Sequence, residues 1–410
     1  MKKAARSIQS DKIFQVYARI FFTKAISDLV IGSFLIIFIF RTTQSIIATV
    51  FCMLLYLFGL FIGTIIAALL SKRANFLTTV QSSFFLTGVI FIAIAASIYF
   101  APQFIPFLIF LYGFPVGLYF ISQHQFQTTL INTIEDRQSL IFSVFGVSRI
   151  MATILPIVAG VAILYGGYEL VFAAVGIIYM LAAAVPLQLK LKAPDTFSIK
   201  EFQQIMNNPY MPKYLLFVFV AAAMNEVRNL AFLLIPFFFL LKSEVNIGLL
   251  LSGIALSSGI VTWIFRNAQR HITTKYSILG GIFITIVNLG FGIIWTPLAL
   301  IIRSILLPIG EIFYIPQSDA DEYTAIHAVI GKSKSVGLEL LLLREAAFFV
   351  ARAFATIIFL AAYDATGQNY MIIAQVIMIM LAIWPLVTFL LRIRLIEHIE
   401  SLIKRAEQIH

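Results

Sequence analysis

The chain has 410 residues, of which 61% are hydrophobic and only 12% charged, and its mean hydropathy is +0.98. That balance excludes a soluble globular protein, which could not hide so much apolar surface. A formal net charge of +10 would suit a nucleic-acid partner, but the basic residues follow the loops and form no single patch, so that class is excluded as well.

A membrane-crossing helix needs about 20 predominantly apolar residues, because hydrocarbon offers no partner to a bare backbone amide or carbonyl. Twelve such runs are legible. The first six lie near residues 15–40, 44–70, 76–100, 104–130, 138–165 and 168–189, and the second six near 214–241, 245–265, 276–296, 298–326, 335–362 and 370–391. The predicted fold class is therefore all-α integral membrane, with 12 transmembrane helices in two pseudo-symmetric six-helix bundles. The expected division is an N-terminal bundle at 1–186, a linker at 187–213 and a C-terminal bundle at 214–410.

The first run is too long for a signal-peptide core and lacks a small-residue cleavage site, so it is expected to be a retained span. It carries Lys24 and Asp28 one turn apart on one face. Asp28 falls roughly 16 Å into the span, near the bilayer centre. The second holds Cys52, the single cysteine, which rules out an intrachain disulfide. The third and fourth meet at a turn with Pro102 and Pro106. The fourth contains Gly113, Pro115 and Gly117, then a polar end with Gln123, His124, Gln125 and Gln127. After the charged loop Glu135, Asp136 and Arg137, the fifth places Arg149 alone at mid-depth.

The linker from Leu187 to Lys213 is the least hydrophobic long stretch between the apolar halves. Ser198-Ile199-Lys200-Glu201 has capping-box spacing, Phe202, Ile205 and Met206 share a helical face, and Asn207-Asn208-Pro209 ends the run. A short amphipathic helix on the inner membrane surface is expected, with an irregular tether as the alternative. Ile396, Ile399, Leu402 and Ile403 repeat that periodicity in the tail.

In the second half, the seventh span holds Asn225, Glu226, Arg228 and Asn229. The tenth carries Arg303, Pro308, Gly310 and Glu311, followed by Asp319, Asp321 and Glu322. The eleventh carries Glu339, Arg344, Glu345 and Arg352, with Glu345 and Arg352 on one stripe. Landmarks recur at an offset of about 195 residues: Phe120-Ile121-Ser122-Gln123 answers to Tyr314-Ile315-Pro316-Gln317, Arg149 to Arg344, and Asp28 to Glu226. Such spacing points to one six-helix unit used twice.

Basic residues occupy every second loop: Lys2, Lys3, Arg6 and Lys12; Lys72 and Arg73; Arg137; Lys190, Lys192, Lys200 and Lys213; Arg266, Arg270 and Lys275; Lys332 and Lys334; then Arg392, Arg394, Lys404 and Arg405. Between them stand Arg41 and Lys242. By the positive-inside rule both termini and the linker are expected to be cytoplasmic, in a multi-pass protein of a plasma membrane of the bacterial inner-membrane type.

An ionisable side chain in hydrocarbon costs about 2.5–3.5 kcal/mol on insertion scales, so it is kept for a wet pathway or a protein-facing pair. Lys24, Asp28, Gln123, His124, Glu226, Arg228, Arg303 and Glu311 are the candidate substrate or proton site. For Asp28, Glu226 and Glu311 the alternatives are proton carrier, cation ligand, or a fixed ion pair such as Asp28 with Lys24. Arg149, Arg344, Glu345, Arg352 and Asp319 are the candidate interface or gating residues. The two arginines are expected to hold the halves together, or otherwise to grip an anionic substrate. His124 is a potential proton shuttle, but no histidine or cysteine pair has ligand spacing, so no metal is expected. No phosphate-cradling loop or nucleophile-base arrangement is present, so neither enzyme activity nor a cofactor is expected.

Twelve spans in two halves with a central linker resemble the major facilitator superfamily, a likeness that spans essentially the whole chain. Of its signature between spans two and three, Gly63, Lys72 and Arg73 match, while Ala67 and Leu70 replace an aspartate and a glycine. Of the drug-antiporter pattern in span five, Pro156 and Gly160 match, while Leu155 and Ala159 replace glycines. The resemblance implies that spans one, four, seven and ten line a central cavity and that two, five, eight and eleven flank the contact between halves. The expected function is secondary active transport of a small polar or zwitterionic organic solute, proton-coupled, by alternating access, in a monomer partnered by its substrate, protons and the lipid bilayer. The alternatives are a flippase or exporter of an amphiphile or lipid, and a non-transporting membrane sensor or scaffold.

Overall fold

The structure, a computed structural model, describes residues 2–71, 76–130, 134–184, 197–223, 226, 243–264, 274–330, 338–367, 369, 372 and 375–391. Within that set it leaves out the side chains of 2–14, 17–18, 27–31, 33, 76, 124–130, 134–149, 274–275 and 315–330. All regular structure among the described residues is helical: α1 (Lys2–Thr43), α2 (Ile46–Leu70), α3 (Phe76–Phe100), α4 (Ile105–Leu130), α5 (Ile134–Ala184), α6 (Ile199–Met206), α7 (Met211–Ala223), α8 (Glu244–Ile264), α9 (Thr274–Ile293), α10 (Pro297–Ile330), α11 (Leu338–Ala365) and α12 (Gln375–Leu391). A 3-10 turn, Pro102–Phe104, leads into α4.

Among the described residues, eight stretches are long and apolar enough to cross a membrane: α2, Leu77–Phe100, Pro102–Gln123, Ile150–Ala184, α8, Tyr276–Ile293, Pro297–Tyr314 and α11. Phe34–Thr43, α7 and α12 are shorter apolar helices. Ile150–Ala184, at 35 residues, would run to about 52 Å if straight, well beyond the roughly 30 Å of hydrocarbon. It does not run straight. Gly167 breaks it with φ 73° and ψ 174°, a conformation open to glycine and strained for residues with a Cβ.

Local chemistry fixes the α1–α2 hairpin. Gln44 takes a φ of 51°, and the hydroxyl of Ser45 accepts from the amide of Ala48, capping α2. Thr43 and Thr49 also share a hydrogen bond across the turn, at 3.3 Å.

The chain divides into two compact units. The first comprises Met1–Ser198 with Glu244–Ser252 and Gly337–Glu345; the second comprises Ile199–Ser243, Gly253–Val336 and Ala346–His410. In the first unit α2 crosses α4 where Gly59 and Gly63 face Gly113 and Gly117. A Cβ on any of the four would run into a backbone carbonyl of the other helix, from Phe110, Phe114, Tyr56 or Leu60. This is the small-residue contact by which helices associate in lipid, where no hydrophobic drive separates protein from solvent. Aromatic rings fill the space beside it: Phe91 stands edge-on to Tyr112 at 4.8 Å, and Phe38 edge-on to Phe172 at 4.9 Å. Ser83 of α3 donates to the carbonyl of Pro115 in α4, at 2.7 Å.

The second unit is joined differently. Thr285 of α9 donates to the carbonyl of Ala382 in α12 at 2.6 Å, and Asn288, one turn on, lies with its amide nitrogen 3.5 Å from the carbonyl of Leu381. Ile284, Leu307 and Tyr314 form a small apolar cluster between α9 and α10, with Val287 packed on it.

Candidate functional site

Glu226 is the most deeply placed of the described carboxylates expected at mid-span, with 5% of its surface accessible. Its Oε2 lies 3.9 Å from Nε of Arg352 on α11, an ion pair just beyond hydrogen-bonding distance. The Arg352 guanidinium also stands 5.4 Å over the ring of Phe348, one turn earlier on α11. Glu226 is the buried member of this pair, whereas the Arg352 side chain is 25% exposed, so removing the guanidinium would leave the carboxylate with the larger share of the burial cost. Sequence spacing had aligned Arg352 with Glu345; the structure instead sets Glu345 against its neighbour Arg344, with Nη1 donating to Oε1 at 3.1 Å.

Lys24 is buried in the first unit, its ammonium 5.4 Å and 5.7 Å from the ring centres of Tyr119 and Phe120 on α4. The aromatic faces supply negative potential where water is scarce. Arg303 lies in the second unit with 3% exposure, donating from Nε to Oδ1 of Asn288 at 2.9 Å and resting 5.8 Å over Phe291. Both of these contacts are with α9. Gln123 and Glu311 are half-buried. The side chains of Asp28, His124, Arg149 and Asp319, and the whole of Arg228, lie outside the described residues. Among the described residues no three His, Cys, Asp or Glu side chains come together as a metal would need.

Two further contacts join residues that spacing alone does not pair. At the end of α1, Arg41 donates from Nε to Oε1 of Glu244 at 3.0 Å and from Nη2 to Oε2 at 3.2 Å. The Tyr168 hydroxyl, beside the Gly167 break, donates to the same Oε1 at 2.9 Å. This two-point grip on one carboxylate is the strong, directional form of a charged hydrogen bond. Glu244 is also the first residue of α8, where a negative charge meets the positive end of the helix dipole. The backbones beneath it close up: a Cβ on Gly160 would collide with the Glu244 carbonyl, and one on Gly248 with that of Pro156.

The other contact is at the linker. The amide of Ser198 donates to Oε1 of Glu339 at 2.5 Å, and Glu339, in the first turn of α11, is 2% exposed. In the sequence Arg41 stands among the loop basic residues, Ser198 opens the capping-box spacing and Glu339 lies in the eleventh run, but none of these features names a partner.

No family model matches the chain, and no curated protein sequence matches it. Among solved structures it is similar to a crystal structure of the peptide transporter POT, in a glutamate-to-glutamine variant, with a TM-score of 0.63 and 13% sequence identity. The match covers 95% of this chain and 95% of that one. Together with the long apolar helices, this likeness establishes the fold: the chain is a multi-pass helical membrane protein whose helices are arranged as in that structure.

Proposed function

We propose that this protein is a secondary active transporter of the major facilitator type, carrying a small zwitterionic solute, such as a short peptide, in exchange for the energy of a proton gradient. The observation that carries the reading is the fold match, which extends over 95% of both chains. A whole-chain match of that kind supports the architecture more directly than any motif, and architecture alone does not choose a substrate. Twelve spans follow if the two arms of α5 are counted separately and α1, α7 and α12 are taken as crossing. The two bundles are then 1–186 and 214–410, with the 187–213 linker and both termini on the cytoplasmic side of an inner-membrane-type bilayer. The protein works as a monomer by alternating access.

Glu226 takes the role of proton carrier in this mechanism, and Arg352 that of its counter-charge. A proton on Glu226 removes the negative member of the pair and frees the guanidinium for the carboxylate of an arriving solute. Lys24, Asp28, Gln123, His124, Arg228, Arg303 and Glu311 line or support the pathway, while Arg149, Arg344, Glu345 and Asp319 serve its opening and closing. The grip of Arg41 and Tyr168 on Glu244 is a contact that the cycle makes and breaks at the face opposite the basic loops.

Reconstitution tests the assignment. In proteoliposomes under an imposed pH gradient, Glu226→Gln is expected to lose gradient-driven accumulation of a dipeptide while keeping exchange of labelled for unlabelled solute. Equal accumulation by the native protein and by Asp28→Asn, Glu226→Gln and Glu311→Gln variants would overturn proton coupling.

A further inference from the structure

The helix α6 has no buried residue. Its apolar side chains, Ile199, Phe202, Ile205 and Met206, fall within about 120° of arc at 100° per residue, and Lys200, Glu201, Gln203 and Gln204 occupy the rest. Ile199 is 66% exposed and Met206 44%. A stripe like this, left in water, is unfavourable, and in a soluble protein it would mark a partner site.

What covers the stripe follows from how the two ends of α6 are held. Ser198, the residue before the helix, gives its amide to Glu339 in the first turn of α11, at one end of a candidate membrane span. Met206, the last residue, is followed within five positions by Met211, where α7 begins. Five extended residues reach at most about 17 Å. Both ends are thus tied to the mouths of apolar helices, which keeps α6 at the level where hydrocarbon gives way to headgroups. The loop that precedes Glu339 bears Lys332 and Lys334, and the linker itself bears Lys190, Lys192, Lys200 and Lys213 against Asp195 and Glu201. Lys200 and Lys213 are exposed.

We propose that α6 docks on an anionic lipid surface, with Ile199, Phe202, Ile205 and Met206 at the acyl boundary and the lysines around it against headgroup phosphates. The Glu339 carboxylate acts as the peg that sets where this helix begins, so the docking is that of an anchored element and not of a free peptide. An amphipathic helix this short binds a neutral bilayer weakly on its own, and the tether together with the basic residues raises the docked fraction. The docked state therefore depends on lipid charge.

Single cysteines at Ile199→Cys, Gln204→Cys and Met206→Cys, introduced into the full chain with Cys52→Ser, are labelled with a fluorophore and reconstituted. The vesicles are of phosphatidylcholine, with or without phosphatidylglycerol. Since no residue of α6 is buried, the three α6 substitutions leave the core untouched; Cys52 is buried, so a melting curve of the Cys52→Ser background, with and without each α6 cysteine, verifies the fold. Labels at 199 and 206 are expected to be quenched by brominated acyl chains, and the label at 204 by aqueous iodide, with the contrast growing when phosphatidylglycerol is present. Lys200→Gln and Lys213→Gln should each lower the docked-to-free ratio roughly five-fold, the factor equivalent to about 1 kcal/mol per basic residue at an anionic surface. Three results would overturn the proposal: iodide reaching position 199 as freely as 204 in the anionic vesicles; position 199 shielded from both quenchers in detergent as well as in lipid, which would mean that protein covers it; or quenching indifferent to lipid charge.

Discussion

The crossing of α2 with α4 and the crossings of α9 with α10 and α12 solve the same problem with opposite chemistry. In the first unit, Gly59, Gly63, Gly113 and Gly117 remove their side chains so that two backbones touch. In the second, Thr285, Asn288 and Arg303 put polar groups into the joint and satisfy them on carbonyls and on one another. Between helices in lipid the two solutions differ in tolerance. A glycine crossing fails by overfilling, whereas a polar crossing fails when one member is removed and the others are stranded.

The largest expected effect is on the polar side. Asn288→Leu takes the amide acceptor from a guanidinium that is 3% exposed, and should lower stability by about 3 kcal/mol. The measurement is the midpoint of thermal unfolding in detergent. A loss no greater than that of an ordinary surface substitution would show that Arg303 is not the centre of the joint. Next comes Gly113→Ala, whose new methyl would meet the Tyr56 carbonyl, with an expected loss of about 1–3 kcal/mol by the same measurement. An unchanged midpoint would mean that α2 and α4 can slide apart freely, and the contrast between the units would collapse. Glu244→Gln weakens the grip of Arg41, whose side chain is 42% exposed, and should cost about 1 kcal/mol or less. Its signature is salt dependence, since raising the ionic strength should narrow the gap between native and variant. The smallest effect is Thr285→Val, about 0.6 kcal/mol, the average for a side-chain hydrogen bond between membrane helices.

The helices were far easier to read from the sequence than the contacts that join them. Apolar runs announce themselves because hydrocarbon forces every backbone amide to be satisfied inside its own segment, so span length is written locally. Gly167 could be guessed as a break because Gly166-Gly167 falls where two runs meet. The capping spacing from Ser198 likewise places a helix where α6 runs, but the acceptor that takes the Ser198 amide is 141 positions away, and no local pattern could name it. The same holds for Arg41 and Glu244, 203 positions apart, and for Arg352, which sequence spacing aligned with Glu345 while the structure pairs it with Glu226. Asn288 was passed over altogether, because one amide in an apolar run says nothing until the arginine fifteen residues on is seen to need it. Periodicity records which face of a helix is special; it does not record which other helix will meet that face.

The first helix runs unbroken from Lys2 to Thr43, and 42 residues of α-helix measure about 63 Å, twice the roughly 30 Å thickness of a bilayer's hydrocarbon core. With its apolar end, Phe34–Thr43, in hydrocarbon, such a helix is longer than that layer can hold, and Lys2, Lys3, Arg6 and Lys12 lie toward its opposite end. A fluorescent reporter fused there would therefore read, in its distance from the membrane, how this helix is tilted.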